Sequence, residues 1–428
     1  MAKNNITQYD ATAANNTDID SINIAEGMAA SDVNNAIRSL MSHLKNMDTG
    51  SVALTSPSFT AMSTDTINEK TSTNGVAIDS VTLKDGELGT TASPVPINSS
   101  SLNGGQFGGR RNVVLNGKFQ IFQRGTSATT VSGNDVFVAD RFKGWANGGG
   151  TYTVEQSTDT PNNEFEFSAK LNNTAVDSSV SAGDFYAYAT DIEGHDVSQF
   201  AYGSSDAKSV TLSFWVKASL AGTYCIAFYS VTANRYQIKE YTISSANTWE
   251  KKTITIASGD TTGSWNRVNG NGLRIYWDLG SGSTYQGSPN AWASGQKFST
   301  TNQANWIGTS SSNFYLTGVQ VEIGLATPFE HRSIHEETLH CRRYYYEWSG
   351  LWIGLINNGN TSLIRHQLVF PVEIRGTPAV SNAGITSPWS IGTIATTTKT
   401  HNFEFSRTAT ADFRPFMGSP VWKFSAEL

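Results

Sequence analysis

The sequence predicts a mainly β protein with a short N-terminal helix, an intertwined trimeric β shaft, an antiparallel β-sandwich (jelly roll) head and a smaller C-terminal β domain. Three observations support this fold class. Only 15% of the 428 residues are charged, whereas Gly, Ser, Thr and Asn are abundant, which is typical of strands joined by many turns. Apolar residues alternate in long runs after residue 110. The first 104 residues contain only two aromatic residues, Tyr9 and Phe59, and none of the 11 Trp.

The N-terminal quarter is too poor in large side chains to form a core by itself. Residues 1–104 carry 5 basic and 11 acidic side chains, and the remaining residues carry 25 of each, so the whole net charge of -6 lies in this part. A chain with so little apolar surface cannot offset its conformational entropy by burial. We therefore expect it to associate with other copies as a thin stem below an aromatic-rich head.

A heptad pattern predicts a helix within residues 1–50. Ser31 and Asp32 supply N-cap chemistry, and five apolar residues follow at steps of 4, 3, 4 and 3. They form the predicted trimerisation seam: Val33, Ile37, Leu40, Leu44 and Met47. A short amphipathic helix needs a partner to bury such a stripe. The alternative is a helix packed on its own domain, but no neighbouring segment has an apolar face large enough to receive it.

Residues 51–110 are predicted to form the trimeric shaft. In residues 75–84, short apolar alternations flank a turn-prone pair, Asp79 and Ser80. An isolated hairpin of this size is marginal in water, whereas three chains wound around one axis would pair every strand edge. Residues 99–109 are rich in Gly and Ser and are predicted to be a flexible joint.

Alternating strands dominate residues 111–335, the predicted jelly-roll, carbohydrate-binding-like domain. No helix-length spacer separates them, which favours an antiparallel sandwich over parallel βαβ units. One short helix is predicted at residues 336–344, and we place a domain boundary near residue 335. Apolar residues share one face in successive strands: Val210, Leu212, Phe214 and Val216; Tyr224, Ile226 and Phe228; Leu273, Ile275 and Trp277; Val319, Val321 and Ile323.

Residues 336–428 are predicted to form the smaller C-terminal β domain. Its aromatic residues form either a surface at the tip of the molecule or the core of this domain, and the sequence leaves both interpretations open. The set comprises Trp348, Trp352, Trp389, Phe416 and Trp422.

Composition argues against several partners. The head is near neutral and has no block of Lys and Arg, so we expect no binding to nucleic acid. No apolar run is long enough for a membrane span and residues 1–5 lack a signal-peptide core, so we expect no membrane insertion and synthesis in a cytoplasm. Cys225 and Cys341 are too few for a disulfide framework and are expected to be free thiols.

No motif predicts a metal, a cofactor or a catalytic residue. His335 and His340 are five residues apart and would point about 140° apart on a helix, so they cannot share a zinc ion. No Gly-x-Ser-x-Gly nucleophile turn is present around residues 280–283. Glycoside hydrolysis needs two carboxyl groups across the scissile bond, and the acids considered for it are Asp184, Asp191, Glu193 and Asp278.

Aromatic residues are the stronger candidates for ligand binding. Trp265, Tyr285, Trp292 and Trp306 lie among stretches rich in Gly, Ser and Asn, which predict turns with some rings facing outward. A flat exposed ring packs on the apolar face of a sugar, while neighbouring polar groups bind its hydroxyls. Packing between chains or domains is the competing interpretation for these residues. Trp215 alternates within a strand and is predicted to be core.

Several segments resemble tail fibres and related receptor-binding proteins of tailed bacteriophages. Residues 24–27 with 30–38 resemble the segment that attaches such fibres to the virion, and residues 66–71 with 75–84 resemble a strand motif of their trimeric shafts. The strongest similarity lies in residues that, in that family, form the last part of a carbohydrate-binding-module-like jelly roll. After about residue 350 the sequence departs from the family pattern. The strongest segments are 315–324, 327–332 and 341–345, with further similarity at 106–108, 112–117, 123–126 and 139–142.

The resemblance implies a structural protein of the virion tail, an adhesin and not an enzyme. It implies a homotrimer whose residues 1–50 bind phage tail or adaptor proteins and whose head binds a host surface glycan, either lipopolysaccharide or capsule. One alternative is a tailspike that depolymerises polysaccharide. The other is an adaptor, collar fibre or decoration protein that binds no receptor.

Overall fold

The predicted mainly β class with an antiparallel sandwich is confirmed, because the named strands pair antiparallel and form sandwich-like sheets. The computed structural model describes residues 3–4, 8–10, 12–49, 89–90, 93–94, 110–349, 362–383, 389–407 and 421–428. The chain divides into two compact units, Met1–Pro96 and Ile97–Leu428. The strand fragment predicted at residues 75–84 and the joint at residues 99–109 lie outside the described residues.

The described residues of the first unit include an α-helix and short strands: β1 (Asp18–Ile19), β2 (Ile22–Asn23), α1 (Ala30–Asp48), β3 (Gly89–Thr90) and β4 (Ser93–Pro94). Ala29 occupies the N-cap position of α1 and makes no side-chain cap. The predicted capping role of Ser31 and Asp32 is therefore wrong, since both lie inside the first turn. Asp32 still places a carboxylate near the positive end of the helix dipole.

One face of α1 is apolar and exposed. The side chains of Val33, Ile37, Leu40 and Leu44 are 40–53% exposed, and Met47 is half-buried. His43, on the flank of this stripe, is buried and bonds through its two ring nitrogens to the Tyr9 hydroxyl at 2.5 Å and the Asp20 carboxylate at 3.1 Å. The N-terminal residues therefore pack beside the predicted seam and leave it open.

The second unit is built around a two-sheet sandwich. Sheet A has the strand order β16-β13-β12-β15-β10-β7-β6, and sheet B has the order β14-β11-β17-β9-β8-β5. The chain crosses repeatedly between the sheets, as in a jelly roll, and a short helix, α2 (Gly194–Val197), follows β10. The strands are β5 (Thr129–Val131), β6 (Val136–Phe137), β7 (Phe142–Asn147), β8 (Thr151–Ser157), β9 (Ser168–Ala175), β10 (Phe185–Glu193), β11 (Val210–Ala218), β12 (Gly222–Ser230), β13 (Arg235–Ile243), β14 (Glu250–Ile256), β15 (Asn271–Ser281), β16 (Ala293–Ser294) and β17 (Asn313–Ile323).

The main core lies between the two sheets. Phe214 on β11 of sheet B contacts Trp277 on β15 of sheet A edge to face, with 5.8 Å between ring centroids, and both are fully buried. Trp215 is half-buried, so the prediction that it is core is wrong. Side chains alternate across a strand, and the alternation that buries Phe214 and Val216 turns Trp215 to the outer face of sheet B.

A second apolar cluster covers the outer face of sheet A. Trp145, Phe185 and Tyr276 come from β7, β10 and β15, and Phe298 packs on them from the segment that follows β15. Phe298 stacks on Tyr276 with 4.7 Å between ring centroids. Sheet A is therefore covered on both faces along this part.

The remaining elements form two three-stranded sheets, β18-β23-β20 and β19-β22-β21. Ser333 caps α3, accepting a hydrogen bond from the Glu336 amide at 3.2 Å, and α3 begins two residues before the predicted helix. Trp422 is fully buried and clusters with Phe370 and Phe424, while Trp352 and Phe416 lie outside the described residues. The elements are α3 (Ile334–Arg342), β18 (Tyr345–Ser349), β19 (Ser362–Val369), β20 (Ala379–Ala383), β21 (Trp389–Thr396), β22 (Thr400–Arg407) and β23 (Val421–Ser425).

Buried ion pairs connect these C-terminal strands to the sandwich. Arg141 at the start of β7 pairs with Glu427, and its guanidinium lies 3.5 Å from the ring centre of Tyr344. Arg343, after α3, pairs with Glu193 at the end of β10 at 2.7 Å. Within the described ranges no helix is both long and apolar enough to cross a bilayer.

Candidate functional site

Trp292 is a partly exposed aromatic residue whose ring is held on three sides. It lies beside β16, which pairs with β13 at the edge of sheet A. Trp265 and Tyr202 both contact the ring edge to face, each with 5.5 Å between ring centroids and with interplanar angles of 89° and 77°. The indole N–H donates to the Ser258 carbonyl at 3.0 Å. The ring orientation is thus set before any ligand arrives, and we call this group the Trp292 platform.

A polar group lies next to the Trp292 platform. Arg235 donates two hydrogen bonds to Asp260, from Nε at 2.7 Å and from Nη2 at 3.1 Å, and a third from Nη1 to the Ser294 hydroxyl at 3.2 Å. Ser294 is two residues from Trp292, and Asp260 is two residues from the carbonyl that accepts the indole N–H. Burial opposes ionisation of Asp260, but hydrogen bonds from Arg235 and Thr262 outweigh it and lower the pKa of this carboxyl. The group is a charged, hydrogen-bonding border for a flat ring.

The turn that carries Asp260 requires glycine at residue 263. Its φ is +81°, and an added Cβ would lie 3.0 Å from the Ala233 side chain and 3.3 Å from Arg235 Cγ. Positive φ is easily adopted only by glycine. The turn is therefore packed tightly on β13, which keeps the Asp260 carboxylate against Arg235.

Tyr285 is the second partly exposed ring among the predicted candidates. It stacks on Phe298 with 5.0 Å between ring centroids and an interplanar angle of 21°, and it contacts Phe185 at 4.7 Å. Both neighbours belong to the cluster on the outer face of sheet A. One side of the Tyr285 ring is thus occupied by the protein.

The other two predicted candidates have little or no surface available to a sugar. Trp306 is fully buried in the main core, where its N–H donates to the Asn313 carbonyl at 3.1 Å. Trp265 is only 8% exposed, and it packs against Trp292. The expectation that these two rings face outward is corrected: Trp306 is a core residue, and Trp265 supports the platform.

Three of the four acids considered for hydrolysis are buried with partners. Asp191 pairs with Arg274 and with Lys143, and although burial opposes ionisation, these cations lower its pKa to about 2. The carboxylate of Asp278 accepts from the hydroxyls of Ser281 and Ser299, and burial raises its pKa to about 7.

The other two acids lie in different surroundings. Asp184, half-buried, accepts from the Ser181 amide at 3.3 Å. Glu193 accepts from Arg343 and from the Tyr344 hydroxyl. It also borders a cleft of about 410 Å³ that is lined by Asp196, His195 and Arg332 among others.

In this cleft the two carboxyl groups have pKa values displaced in opposite directions. Desolvation and the Glu193 charge raise the pKa of Asp196. Desolvation opposes ionisation of Glu193, but its hydrogen bonds from Arg343 and Tyr344 lower its pKa. Across the described part of the chain, no group of three or more His, Cys, Asp and Glu side chains is placed to hold a metal ion.

Sequence reasoning missed the partners of Trp292. Tyr202, Arg235 and Asp260 are separated from it by 32 to 90 residues along the chain, and no local motif connects them. The alternating pattern of β13 places Arg235 at the start of a strand but does not indicate what lies beside it. The two free thiols, Cys225 and Cys341, are buried.

No protein-family model matches the chain, and no curated protein matches it. Similar solved structures include the enzymatically active domain of tailspike protein 4 of bacteriophage CBA120, with 15% identity, a TM-score of 0.27 and coverage of 50% of this chain and 21% of that chain. A family 11 carbohydrate-binding module of a Clostridium thermocellum cellulosomal cellulase has 12% identity, a TM-score of 0.26 and coverage of 49% of this chain and 99% of the module. The module TmCBM61, in complex with β-1,4-galactotriose, has 8% identity, a TM-score of 0.26 and coverage of 50% and 99%. Scores of this size support no argument about function, and the sandwich is defined by its own strand pairing.

Proposed function

We propose that the chain is the subunit of a homotrimeric bacteriophage tail fibre, a virion adhesin whose head attaches the particle to a glycan on the bacterial surface. The observation that carries glycan binding is the Trp292 platform with its Arg235–Asp260 border. The sequence likeness in residues 24–38 and 315–345 supports the virion assignment.

The platform has the two features that a sugar site requires. The exposed part of the Trp292 ring offers an apolar surface to a pyranose face, and Arg235 and Ser294 offer hydrogen-bonding groups to its hydroxyls. Asp260 is buried and holds the Arg235 guanidinium in place. Because Tyr202 and Trp265 already hold the ring, little side-chain entropy is lost on binding. The platform is therefore suited to a small saccharide epitope.

Trimerisation would make such a shallow site effective. A single aromatic sugar site commonly binds with a Kd of about 1 mM, near -4 kcal/mol. Three heads on one axis convert later contacts into intramolecular ones and raise avidity by roughly 10² to 10⁴. The exposed stripe of α1, with Val33, Ile37, Leu40 and Leu44, supports association through the N-terminal segment, which we also propose as the docking element for tail or adaptor proteins.

The test is adhesion of the full-length protein carrying Trp292→Ala to host cells and to arrayed bacterial lipopolysaccharides and capsules. The control is Trp249→Ala, since Trp249 is also half-buried, donates its indole N–H to Asp159 at 2.9 Å and contacts an aromatic ring, Tyr315. Loss of a buried aromatic contact of about 1.5–3 kcal/mol predicts a ten- to hundredfold drop in binding for Trp292→Ala alone. Equal adhesion of both variants would refute the assignment of this site.

Glycan hydrolysis is the second candidate function, because the cleft beside α2 contains Glu193 and Asp196 with oppositely displaced pKa values. Such pairs occur in acid–base catalysis. Incubation of the full chain with host polysaccharide, followed by size-exclusion of the product, tests it. A falling chain length that Asp196→Asn abolishes would support hydrolysis, and unchanged chain length would exclude it for that substrate.

A fibre without receptor binding is the remaining alternative. It predicts that the intact protein neither adheres to host cells nor competes with infecting particles. Competition for infection by the wild-type chain, reduced by Trp292→Ala, would contradict it.

A further inference from the structure

A trough of about 390 Å³ lies between the sandwich and the sheet β18-β23-β20. The sandwich side is lined by Arg124, Asp135 and Phe137, and the sheet side by Tyr345, Ser381, Lys423 and Ser425 among others. Its volume is that of a small-ligand site. It is distinct from the Trp292 platform, since none of the platform residues lines it.

The sandwich side holds a cation on aromatic rings. The Arg124 guanidinium lies 3.6 Å from the ring centre of Tyr345 and 5.2 Å from that of Phe137. Its Nη2 donates to Glu427 at 2.9 Å, but its Nη1 is buried and has no hydrogen-bond partner among the described residues. A buried donor without a partner is costly. Arg124 lines the trough, and its guanidinium is the cation on this side.

The sheet side presents a row of donors on one face of a sheet. Ser381 on β20 is directly opposite Lys423 on β23, and Ser425 follows two residues later on the same face. The Lys423 side chain is 45% exposed, and its Nζ lies 3.8 Å from Glu347, which is beyond hydrogen-bond distance. The ammonium group therefore retains donors for a ligand.

Three carboxylates lie near the trough: Asp135, whose side chain is 55% exposed and lines it, Glu427, and Glu347, which is 3.8 Å from Lys423 Nζ. Asp135 pairs with Lys143 at 2.7 Å and accepts from the Trp145 indole N–H at 2.9 Å. Glu427 is shared between Arg124 and Arg141. Each of these carboxylates therefore has a cationic side chain of the protein beside it.

We propose that this trough is a subsite for a sugar residue that carries an anionic substituent, a carboxylate or a phosphate. The anion is bound between Arg124 and Lys423, the serine hydroxyls bind the sugar hydroxyls, and Phe137 packs on the ring. This inference rests on the proposed glycan-binding function and specifies the chemistry of the glycan.

The experiment compares the full-length wild-type protein with Lys423→Gln on arrayed bacterial capsules and lipopolysaccharides. Each polysaccharide is printed in native, carboxyl-reduced and dephosphorylated form. The control variant is Lys399→Gln, because Lys399 is also exposed (70%) and also lies near one carboxylate, Glu373, at 3.7 Å. Both lysines are at the surface, so neither substitution removes a core contact.

We expect Lys423→Gln to bind the native polysaccharides about tenfold more weakly than wild type, which is the effect of losing one charge-assisted hydrogen bond. Wild type should lose the same factor in affinity when the anionic group is removed from the polysaccharide. Loss on carboxyl reduction identifies the anion as a carboxylate, and loss on dephosphorylation identifies it as a phosphate. Equal affinity of Lys423→Gln and wild type, or binding that survives both treatments, would overturn the subsite. If the anionic subsite is overturned but Trp292→Ala still abolishes polysaccharide binding, the proposed glycan-binding function remains supported. If wild type binds no polysaccharide at all, the proposed function itself is refuted.

Discussion

Replacing Asp278 by Asn tests whether this buried carboxyl group is protonated in the folded protein. Asp278 is 2% exposed and accepts from the hydroxyls of Ser281 and Ser299. Burial raises its pKa from 3.8 to about 7, so the folded state holds a proton that the unfolded state releases above about pH 4. Its contribution to the free energy of unfolding is complete below the unfolded pKa and is lost as pH rises through the folded pKa.

The magnitude follows from the two pKa values. Between them, the free energy of unfolding falls by about 1.4 kcal/mol per pH unit for one proton. The difference of about 3 units therefore corresponds to about 4 kcal/mol in total, of which about 3 kcal/mol falls between pH 5 and 8. Asparagine has nearly the same shape and does not ionise, so Asp278→Asn removes this pH dependence.

The assay is urea unfolding of the full chain, followed by tryptophan fluorescence from pH 4.5 to 8.5. Relative to wild type, Asp278→Asn is expected to gain about 3 kcal/mol between pH 5 and 8. Asp206→Asn is the control, since Asp206 is exposed, and its profile should run parallel to wild type. Parallel profiles for Asp278→Asn and wild type would refute the reasoning, because they would mean that Asp278 binds no proton on folding.

Three further predictions concern association, packing and reactivity. Ile37→Asp places a charge on the exposed stripe of α1 and should convert a trimer to monomer in sedimentation. Ser42→Asp, which lies outside the stripe, should leave the trimer intact. A monomeric wild-type protein would contradict the prediction that this stripe is a trimerisation seam. Gly117→Ala should lower the free energy of unfolding by about 1–3 kcal/mol, since its Cβ would lie 2.1 Å from the Val319 carbonyl oxygen; an unchanged urea midpoint would contradict this. Burial raises the pKa of the Cys225 thiol to about 12 and that of Cys341 well above its usual value, so iodoacetamide at pH 8 should label neither until urea is added, and labelling of the native protein would show that a thiol is accessible.

Local patterning predicted the sandwich because period-two alternation depends only on neighbours along the strand. Leu212, Phe214 and Val216 share one face in the sequence and are fully buried in the structure. The same alternation places Trp215, which lies between them, on the opposite face, where it is half-buried, so it is not a core residue. The spacing likewise predicts the heptad of α1, and four of its five residues are exposed on one face, while Met47 is half-buried.

The candidate rings show where local information ends. Composition around Trp265, Tyr285, Trp292 and Trp306 predicts turns, but turn-rich segments can fold back over a sheet as well as face solvent. In this chain Trp265 and Trp306 are buried in the main core, and the segment after β15 packs on the outer face of sheet A. Of the four candidates, Tyr285 and Trp292 stay partly exposed.

By itself the sequence determined the strand periodicity, the lean N-terminal quarter and the absence of a spaced catalytic or metal motif, because each of these properties is carried by residues close together in the chain. Only the tertiary structure decided that Trp292 is braced by Tyr202, that Arg235 lies against Asp260, and that Arg124 and Lys423 line one trough. These contacts join segments far apart in sequence. Their formation depends on how whole sheets pack, a property that no local pattern encodes.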